Sequence, residues 1–301
     1  MLTLALFQGI ASGVITGSVY ALLAISIVIV FKSTEVVNFG GGEMLMSGTY
    51  LAMMALVAFD MPYVAAFGFV VVGMFVLGIS FEAGILRVIA GRGRHGQLTL
   101  VALVVATVGL SYILKGVMRL FSYTEQARRL PSLFRGPPVE FGQVLLQRQD
   151  LVIVGIAVLV MLLLFAFFQF TFTGKALRAV SQNPRASSLV GIPVKRMRTA
   201  VWGGASILAG IAGVLIGAKF PVTPDFGGTV VLLSFAAAII GGFNSLPGCV
   251  LGGVLLGVAQ NLVGLYFSSA AIAVTPFVVI MAVLIIRPEG LLSGRSVLRK
   301  V

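Results

Sequence analysis

The sequence predicts an all-α integral membrane protein of eight to nine transmembrane helices, with broken helices and one short cytoplasmic helix. Hydrophobic residues fill 59% of the 301 positions and charged residues only 10%, against about 25% charged in soluble domains. Mean hydropathy is +1.11. Apolar runs close to the ~20 residues that cross a hydrocarbon core recur from end to end. They leave no room for a separate soluble domain, so residues 1–301 read as one membrane domain.

The first run, 5–31, follows a start without a positive n-region or small-residue cleavage site, so it reads as a retained helix rather than a removed signal. Further runs fall at 37–59, 64–86, 98–121, 150–172, 199–219, 229–243, 248–267 and 272–287. The seventh is short for a span. If it is re-entrant or broken, the count is eight and one terminus changes sides.

Charge sets the orientation. The connection 173–198 holds Lys175, Arg178, Arg185, Lys195, Arg196 and Arg198 and no acid, which places it in the cytoplasm by the positive-inside rule. With nine spans, Arg87, Arg92, Arg94, Arg287, Arg295, Arg299 and Lys300 join it, while Asp60 and Asp225 fall outside. The N-terminus is then periplasmic and the C-terminus cytoplasmic. The connection 122–149 opposes this, being external yet carrying Arg128, Arg129, Arg135 and Arg148 beside Glu125 and Glu140; its LPSLFRGPP stretch reads as connector. The net charge of +12 reflects basic inner loops, and no nucleic-acid partner is expected.

Glycines at four-residue spacing mark close helix packing faces, because lipid supplies no hydrophobic force between helices. They are Gly9, Gly13 and Gly17; Gly213 and Gly217; Gly248 and Gly252; Gly253 and Gly257. The sequence has no G-x-x-x-x-G-K-[ST] loop and no Cys or His cluster. Cys249 is the sole cysteine and His95 the sole histidine. No cofactor or metal bound by this chain is expected, no catalytic residues are assigned, and any ATP-driven work falls to another subunit.

Two interruptions stand out. In Asn38-Phe39-Gly40-Gly41-Gly42-Glu43, three glycines let the backbone leave helical geometry, which a membrane tolerates only against protein or a water-filled cavity. Glu43, Ser47 and Tyr50 share one helix face, and an intramembrane carboxylate is a candidate functional site, including an ion site for a stand-alone secondary transporter. Equally, Glu43 at an interfacial helix start is stabilised by the dipole, and Asn38 suits a cap. Counting places this run near the cytoplasmic end of the second span, which favours an inner gate or helix cap over a midplane site. Glu82, beside Arg87, reads as an interfacial charge. The second interruption, Gly241-Gly242-Phe243-Asn244 before Ser245 and Pro247, reads as a tight turn or a broken helix. Two such breaks point to a midplane binding site in transporters.

In the basic connection, Asn183 followed by Pro184 starts a helix and Gly191 stops it, giving about two turns after a short segment from Lys175 to Gln182. The amphipathic result suits docking on a partner or lying on anionic membrane lipid.

At this loop the chain resembles the LivH-type permease subunits of bacterial ABC importers for branched-chain amino acids. Arg185-Ala186-Ser187-x-x-x-Gly191 is similar to the E-A-A-x-x-x-G coupling motif, with Arg for Glu and Ser for the second Ala. Gly13 through Tyr20, Asn38 through Glu43, Gly241 through Gly257 and Arg287-Pro288-Glu289-Gly290-Leu291 follow in the family's order. The family's N-F-A-H-G-E has Gly40 and Gly41 here in place of Ala and His, so the role of that histidine does not carry over.

The resemblance implies an inner-membrane complex with a LivM-like second permease, two cytoplasmic ATPases holding ATP and Mg, and a periplasmic substrate-binding protein. It implies ATPase coupling through Asn183, Pro184, Arg185, Ala186, Ser187, Leu189 and Gly191. The path or gate would involve Asn38, Gly40, Gly41, Gly42, Glu43, Ser47, Tyr50, Gly241, Gly242, Phe243 and Asn244. Expected cargo is a branched-chain or other small apolar amino acid, or a related small carboxylate or amide; the branch also contains importers for urea, amides and aromatic or dicarboxylic acids.

Overall fold

The computed structural model describes residues 2–92, 97–120, 128–131, 137–141 and 144–292. Arg94, His95, Glu125, Arg135, the centre of LPSLFRGPP, Arg295, Arg299 and Lys300, all invoked above, lie outside the described residues, as does the side chain of Glu140. Twelve α-helices carry the described chain: α1 Leu2–Thr34, α2 Gly41–Met53, α3 Tyr63–Phe81, α4 Arg87–Arg92, α5 Gln97–Arg119, α6 Arg148–Phe170, α7 Phe172–Gln182, α8 Pro184–Leu189, α9 Val194–Gly217, α10 Phe226–Gly241, α11 Leu246–Tyr266 and α12 Thr275–Ile286. π turns at Met54–Ala58 and Glu82–Leu86 extend α2 and α3, and a 3-10 turn, Ser269–Ala273, precedes α12. The strands β1 Val139–Phe141 and β2 Val144–Leu146 pair antiparallel as a hairpin.

Among the described residues six helical stretches are long and apolar enough to cross a membrane, and Phe226–Gly241 and Thr275–Ile286 are shorter apolar helices. The run 229–243 is therefore helical without a break as far as Gly241, where α10 ends. Burial sorts the layers: the apolar windows of α1 and α9 are 83% buried, whereas that of α6 is 11% buried. α1 and α9 thus form the centre, and α6 presents its Leu and Phe side chains outward.

The glycine seams close this centre. A Cβ on Gly13 would overlap the backbone of Gly257 and Val258, and one on Gly17 that of Gly253 and Val254, so α1 and α11 meet backbone to backbone. Gly213 does the same for α9 against Leu45 of α2. Dispersion between such closely approached backbones holds helices together where lipid is as apolar as the side chains.

The molecule has two distinguishable ends. Near the start of α1, Gln8 donates to Leu145 O at 2.8 Å and accepts from Leu145 N–H at 3.2 Å, which ties α1 to the hairpin. At the other end of α1, Lys32 donates to Asn244 O at 3.0 Å, on the side that carries the 173–198 connection. At that same end Glu82 is buried against its neighbours: its Oε2 accepts from Arg87 at 2.7 Å and from Thr199 at 2.6 Å, stapling the turn after α3 to α9.

Candidate functional site

The basic connection forms a capped helical tip. Asn183 Oδ1 accepts from Ala186 N–H at 2.9 Å, with Pro184 in the first turn of α8. Gly191 closes the helix at φ +84°, where Ile192 N–H donates to Ser187 O and Gly191 N–H to Ser188 O. This pair of bonds ends a helix on a left-handed residue, which glycine adopts without a Cβ clash. Both ends are therefore capped as the residue types predict. Ser187 faces inward, while Arg185 and Ala186 are exposed and Leu189 and Val190 are 88% and 76% exposed. Two apolar side chains beside cations, on a helix already ordered, suit a protein cleft, because little conformational entropy remains to be lost on docking.

The first interruption is placed differently from the expectation. Residues 35–40 are non-helical and, at up to ~3.3 Å per residue, bring the chain back from the end of α1 by as much as ~20 Å. Asn38 Oδ1 accepts from Gly40 N–H at 3.0 Å; it folds the turn and does not cap α2, whose N-cap is Gly40. Phe39 N–H donates to Thr107 Oγ1 at 3.3 Å, close to the midpoint of α5. Ser206 Oγ approaches Met44 Sδ at 3.6 Å, near the midpoint of α9. The helix thus begins opposite the middles of α5 and α9 rather than level with their ends, because the non-helical residues 35–40, invisible to hydropathy counting, separate it from α1.

Here the glycines serve close approach. A Cβ on Gly42 would overlap Gly227 O, and one on Gly227 would overlap Gly42 O, so α2 and α10 touch through their backbones. Glu43 follows at once, 3% exposed, its Oε1 3.2 Å from Lys115 Nζ. Lys115 is also 3.9 Å from Asp225, and Arg119 binds both Asp225 oxygens at 3.1 and 3.0 Å. Alternating charges therefore run from a buried carboxylate on α2, across α5, to the exposed start of α10. Ser47 and Tyr50 are buried on α2 as well. Glu43 Oε2 and Ser47 Oγ have no hydrogen-bond partner among the described residues.

Sequence reading missed Lys115 and left Asp225 as a loop charge. The signal existed: Lys115 is the sole charged residue between 97 and 118, and an intramembrane cation needs a partner as much as a carboxylate does.

The second interruption is a stitched turn between α10 and α11. Gly242 has φ +98°, Ser245 caps α11 by accepting from Gly248 N–H at 3.1 Å, and a Cβ on Gly241 would overlap Gly248 O. Leu291 and Leu292 N–H groups donate to Ile240 O and Gly241 O at 2.9 and 3.1 Å. Asn244 is exposed and gives its carbonyl to Lys32. Gly241 lies fourteen residues beyond Gly227, about 21 Å along α10 at 1.5 Å per residue, so the structure does not bring the two glycine runs together. An aromatic stack links them instead: Phe39 to Phe235 at 5.7 Å, Phe235 to Phe243 at 6.3 Å and Phe243 to Phe31 at 5.0 Å between ring centroids.

Phe235 also lines a crevice of about 1570 Å³ between α1, α10, α11 and α12, whose apolar walls carry Ser12, Thr16, Tyr20, Gln260 and Asn261. Apolar walls with few polar groups suit small amphiphiles. None of the residues 38–50 lines it. Among the described residues no group of His, Cys, Asp and Glu is arranged to hold a metal.

Comparison with known proteins follows the same outline. The family model for the permease component of branched-chain amino acid transport systems matches residues 9–287. The chain is 33% identical to the high-affinity branched-chain amino acid transport system permease protein LivH of Escherichia coli strain K12, over 98% of this chain and 97% of the relative. It is 32% identical, with the same coverage, to the corresponding permease protein BraD of Pseudomonas aeruginosa. A probable branched-chain amino acid transport permease protein LivH of Methanocaldococcus jannaschii is 28% identical over 92% of this chain and 90% of that one. Among solved structures, a chain of PsaBC from Streptococcus pneumoniae in complex with Fab matches with a TM-score of 0.50 at 15% identity, covering 94% of this chain and 91% of that chain. At that identity the likeness is one of fold.

Proposed function

The chain belongs to the family of branched-chain amino acid transport system permease components, and from that premise we propose that it is the LivH-type permease subunit of an ATP-binding-cassette importer in a bacterial inner membrane. With a LivM-like second permease it forms the path for branched-chain or other small apolar amino acids. Two cytoplasmic ATPases hold ATP and Mg, and a periplasmic binding protein delivers cargo. Residues 1–301 act as one membrane domain of nine passes, the six long apolar helices being joined by α2, α10 and α12. The loop 173–198, with six cations and no acid, faces the cytoplasm, which puts the N-terminus in the periplasm and the C-terminus in the cytoplasm.

The carrying observation is α8. A two-turn helix capped at both ends rests on the chain through Ser187 and leaves Leu189 and Val190 largely exposed, and it lies where the sequence resembles the family's coupling motif. Closure of the ATPase pair would pull on α8 and, through α7 and α9, move the helices around the path.

Gly191→Pro removes a closing N–H bond and demands a φ that the turn does not have, and Ala186→Trp fills the docking face. Each is expected to cut transport and binding-protein-stimulated ATPase activity at least tenfold in proteoliposomes while cargo affinity of the binding protein stays unchanged. Normal coupled ATPase activity in both variants refutes the assignment. A secondary transporter built on Glu43 is disfavoured by Lys115, which already neutralises that carboxylate. Uptake that survives removal of the ATPases and collapses with an uncoupler would restore it. A ligand scan of the binding protein separates amino acids from urea, amides or other acids as cargo.

A further inference from the structure

We propose that Glu43 and Lys115 are a charge pair that a zwitterionic amino acid replaces on its way through the membrane. The cargo ammonium takes the place of Lys115 on Glu43, and the cargo carboxylate takes the place of Glu43 on Lys115. The inference rests on the reading that this chain carries amino acids, and it names the groups that receive the part of the cargo common to all of them.

Three observations support the exchange. Among the described residues the pair is a single contact of 3.2 Å through Glu43 Oε1, and the other oxygen, Oε2, is buried with no hydrogen-bond partner. Ser47 Oγ, one helical turn along, is buried without a partner among the described residues as well. An ammonium brings three donors and satisfies more of these acceptors than Lys115 does alone. Second, the Lys115 side chain is 26% exposed and stands between two carboxylates, with Asp225 at 3.9 Å; it can withdraw toward Asp225 without losing a counter-ion. Third, α2 begins beside Thr107, opposite the middle of α5, which puts the pair in the half of the molecule nearer the hairpin end, where the reading above has cargo arrive.

The energetics favour a zwitterion over other amphiphiles. The attraction within a buried pair is largely offset by its desolvation, so exchanging one pair for two of the same kind carries little net cost and brings no net charge into the membrane. A cargo with one charge brings a net charge into the membrane, and a cargo with none leaves the Glu43–Lys115 pair in place and gains nothing from it. Both differences discriminate against amines, simple carboxylates, amides and urea.

The test uses the whole importer, purified through a tag on this chain together with its partners and without binding protein, with L-leucine as probe. At about ten times its dissociation constant, L-leucine raises the thermal midpoint by roughly 2 °C, while 3-methylbutylamine and 4-methylpentanoate, each lacking one charge, do not. Glu43→Gln and Lys115→Met each lose the response. The double variant, which leaves no buried charge unpaired, regains wild-type assembly but not the leucine response. Should Glu43→Gln fail to assemble, Lys115→Met and the double variant carry the test. A leucine shift retained in Lys115→Met, or equal shifts by the two single-charge analogues, overturns the proposal; so does a wild-type importer that moves leucine in proteoliposomes yet shows no shift at 50 mM, about the upper range of a weak site. Failure of those proteoliposomes to import any amino acid with binding protein and ATP present refutes the transport reading instead.

Discussion

The two glycine-rich interruptions look alike in sequence and are built for different ends. At 38–43, glycines bring α2 against α10 so tightly that Gly42 and Gly227 touch through their backbones, and a charged pair follows in the next half-turn. At 241–244, glycines make a sharp turn at the end of α10 that the 290–292 segment stitches shut with two backbone hydrogen bonds. Glycine in both places reports close backbone approach. The difference lies in what accompanies it: a buried carboxylate with a cation across the interface at the first, and caps and main-chain bonds at the second. Polar side chains, not glycines, mark the interruption with chemistry.

The largest effect expected from breaking this comparison is at Gly42. Gly42→Val places branched carbons where Gly227 O already sits, and backbone cannot yield as a flexible side chain does. Overpacking here is expected to cost about 3 kcal/mol or more, a large share of a stability of about 5–15 kcal/mol. The measurement is the amount and thermal midpoint of detergent-purified chain. Accumulation of Gly42→Val at wild-type level and midpoint contradicts the backbone contact.

Much of this was legible in advance. The four-residue glycine spacing marked α1 and α11 as close-packing faces, though not that they meet each other, and Asn183-Pro184 with Gly191 predicted α8 with both caps, because each is local chemistry that one stretch of chain decides. The depth of the first interruption was not legible. It depends on six non-helical residues after Thr34 re-entering the protein, and hydropathy reads 37–40 of them as part of the second span. Nor was the partner of Glu43: pairing of α2 with α5 is a tertiary contact, and Lys115 gave only the weaker sign of a lone cation in an apolar run. The aromatic stack of Phe31, Phe243, Phe235 and Phe39 was illegible for the same reason, its members being up to 212 positions apart in the chain.

The next effect sharpens the comparison at its chemical side. Glu43→Gln keeps the shape of the side chain and removes the charge facing Lys115. Breaking a fully buried pair costs about 3–5 kcal/mol; with Lys115 a quarter exposed and Asp225 at hand, about 2 kcal/mol is expected. Transport by proteoliposomes is expected to fall at least tenfold, more than stability alone explains. Asn244→Ala, by contrast, removes an exposed side chain whose residue contributes only its backbone carbonyl to Lys32, and transport is expected within a factor of two of wild type. Equal losses at the two positions would erase the distinction between them.

The smallest effect tests whether the second interruption is only a turn. Gly242 sits at φ +98°, where a Cβ is strained, so Gly242→Ala is expected to cost about 1–2 kcal/mol. The neighbouring bonds from Leu291 and Leu292 do not depend on its side chain and hold the turn in register. The expected outcome is therefore a thermal midpoint lowered by a few degrees with the rate of transport per folded importer unchanged. That split separates a scaffold from a gate, since a hinge made to open during the cycle would lose rate as it lost backbone freedom. A Gly242→Ala importer with a normal midpoint and a transport rate several-fold lower would show that the turn moves, and would place both interruptions on the path.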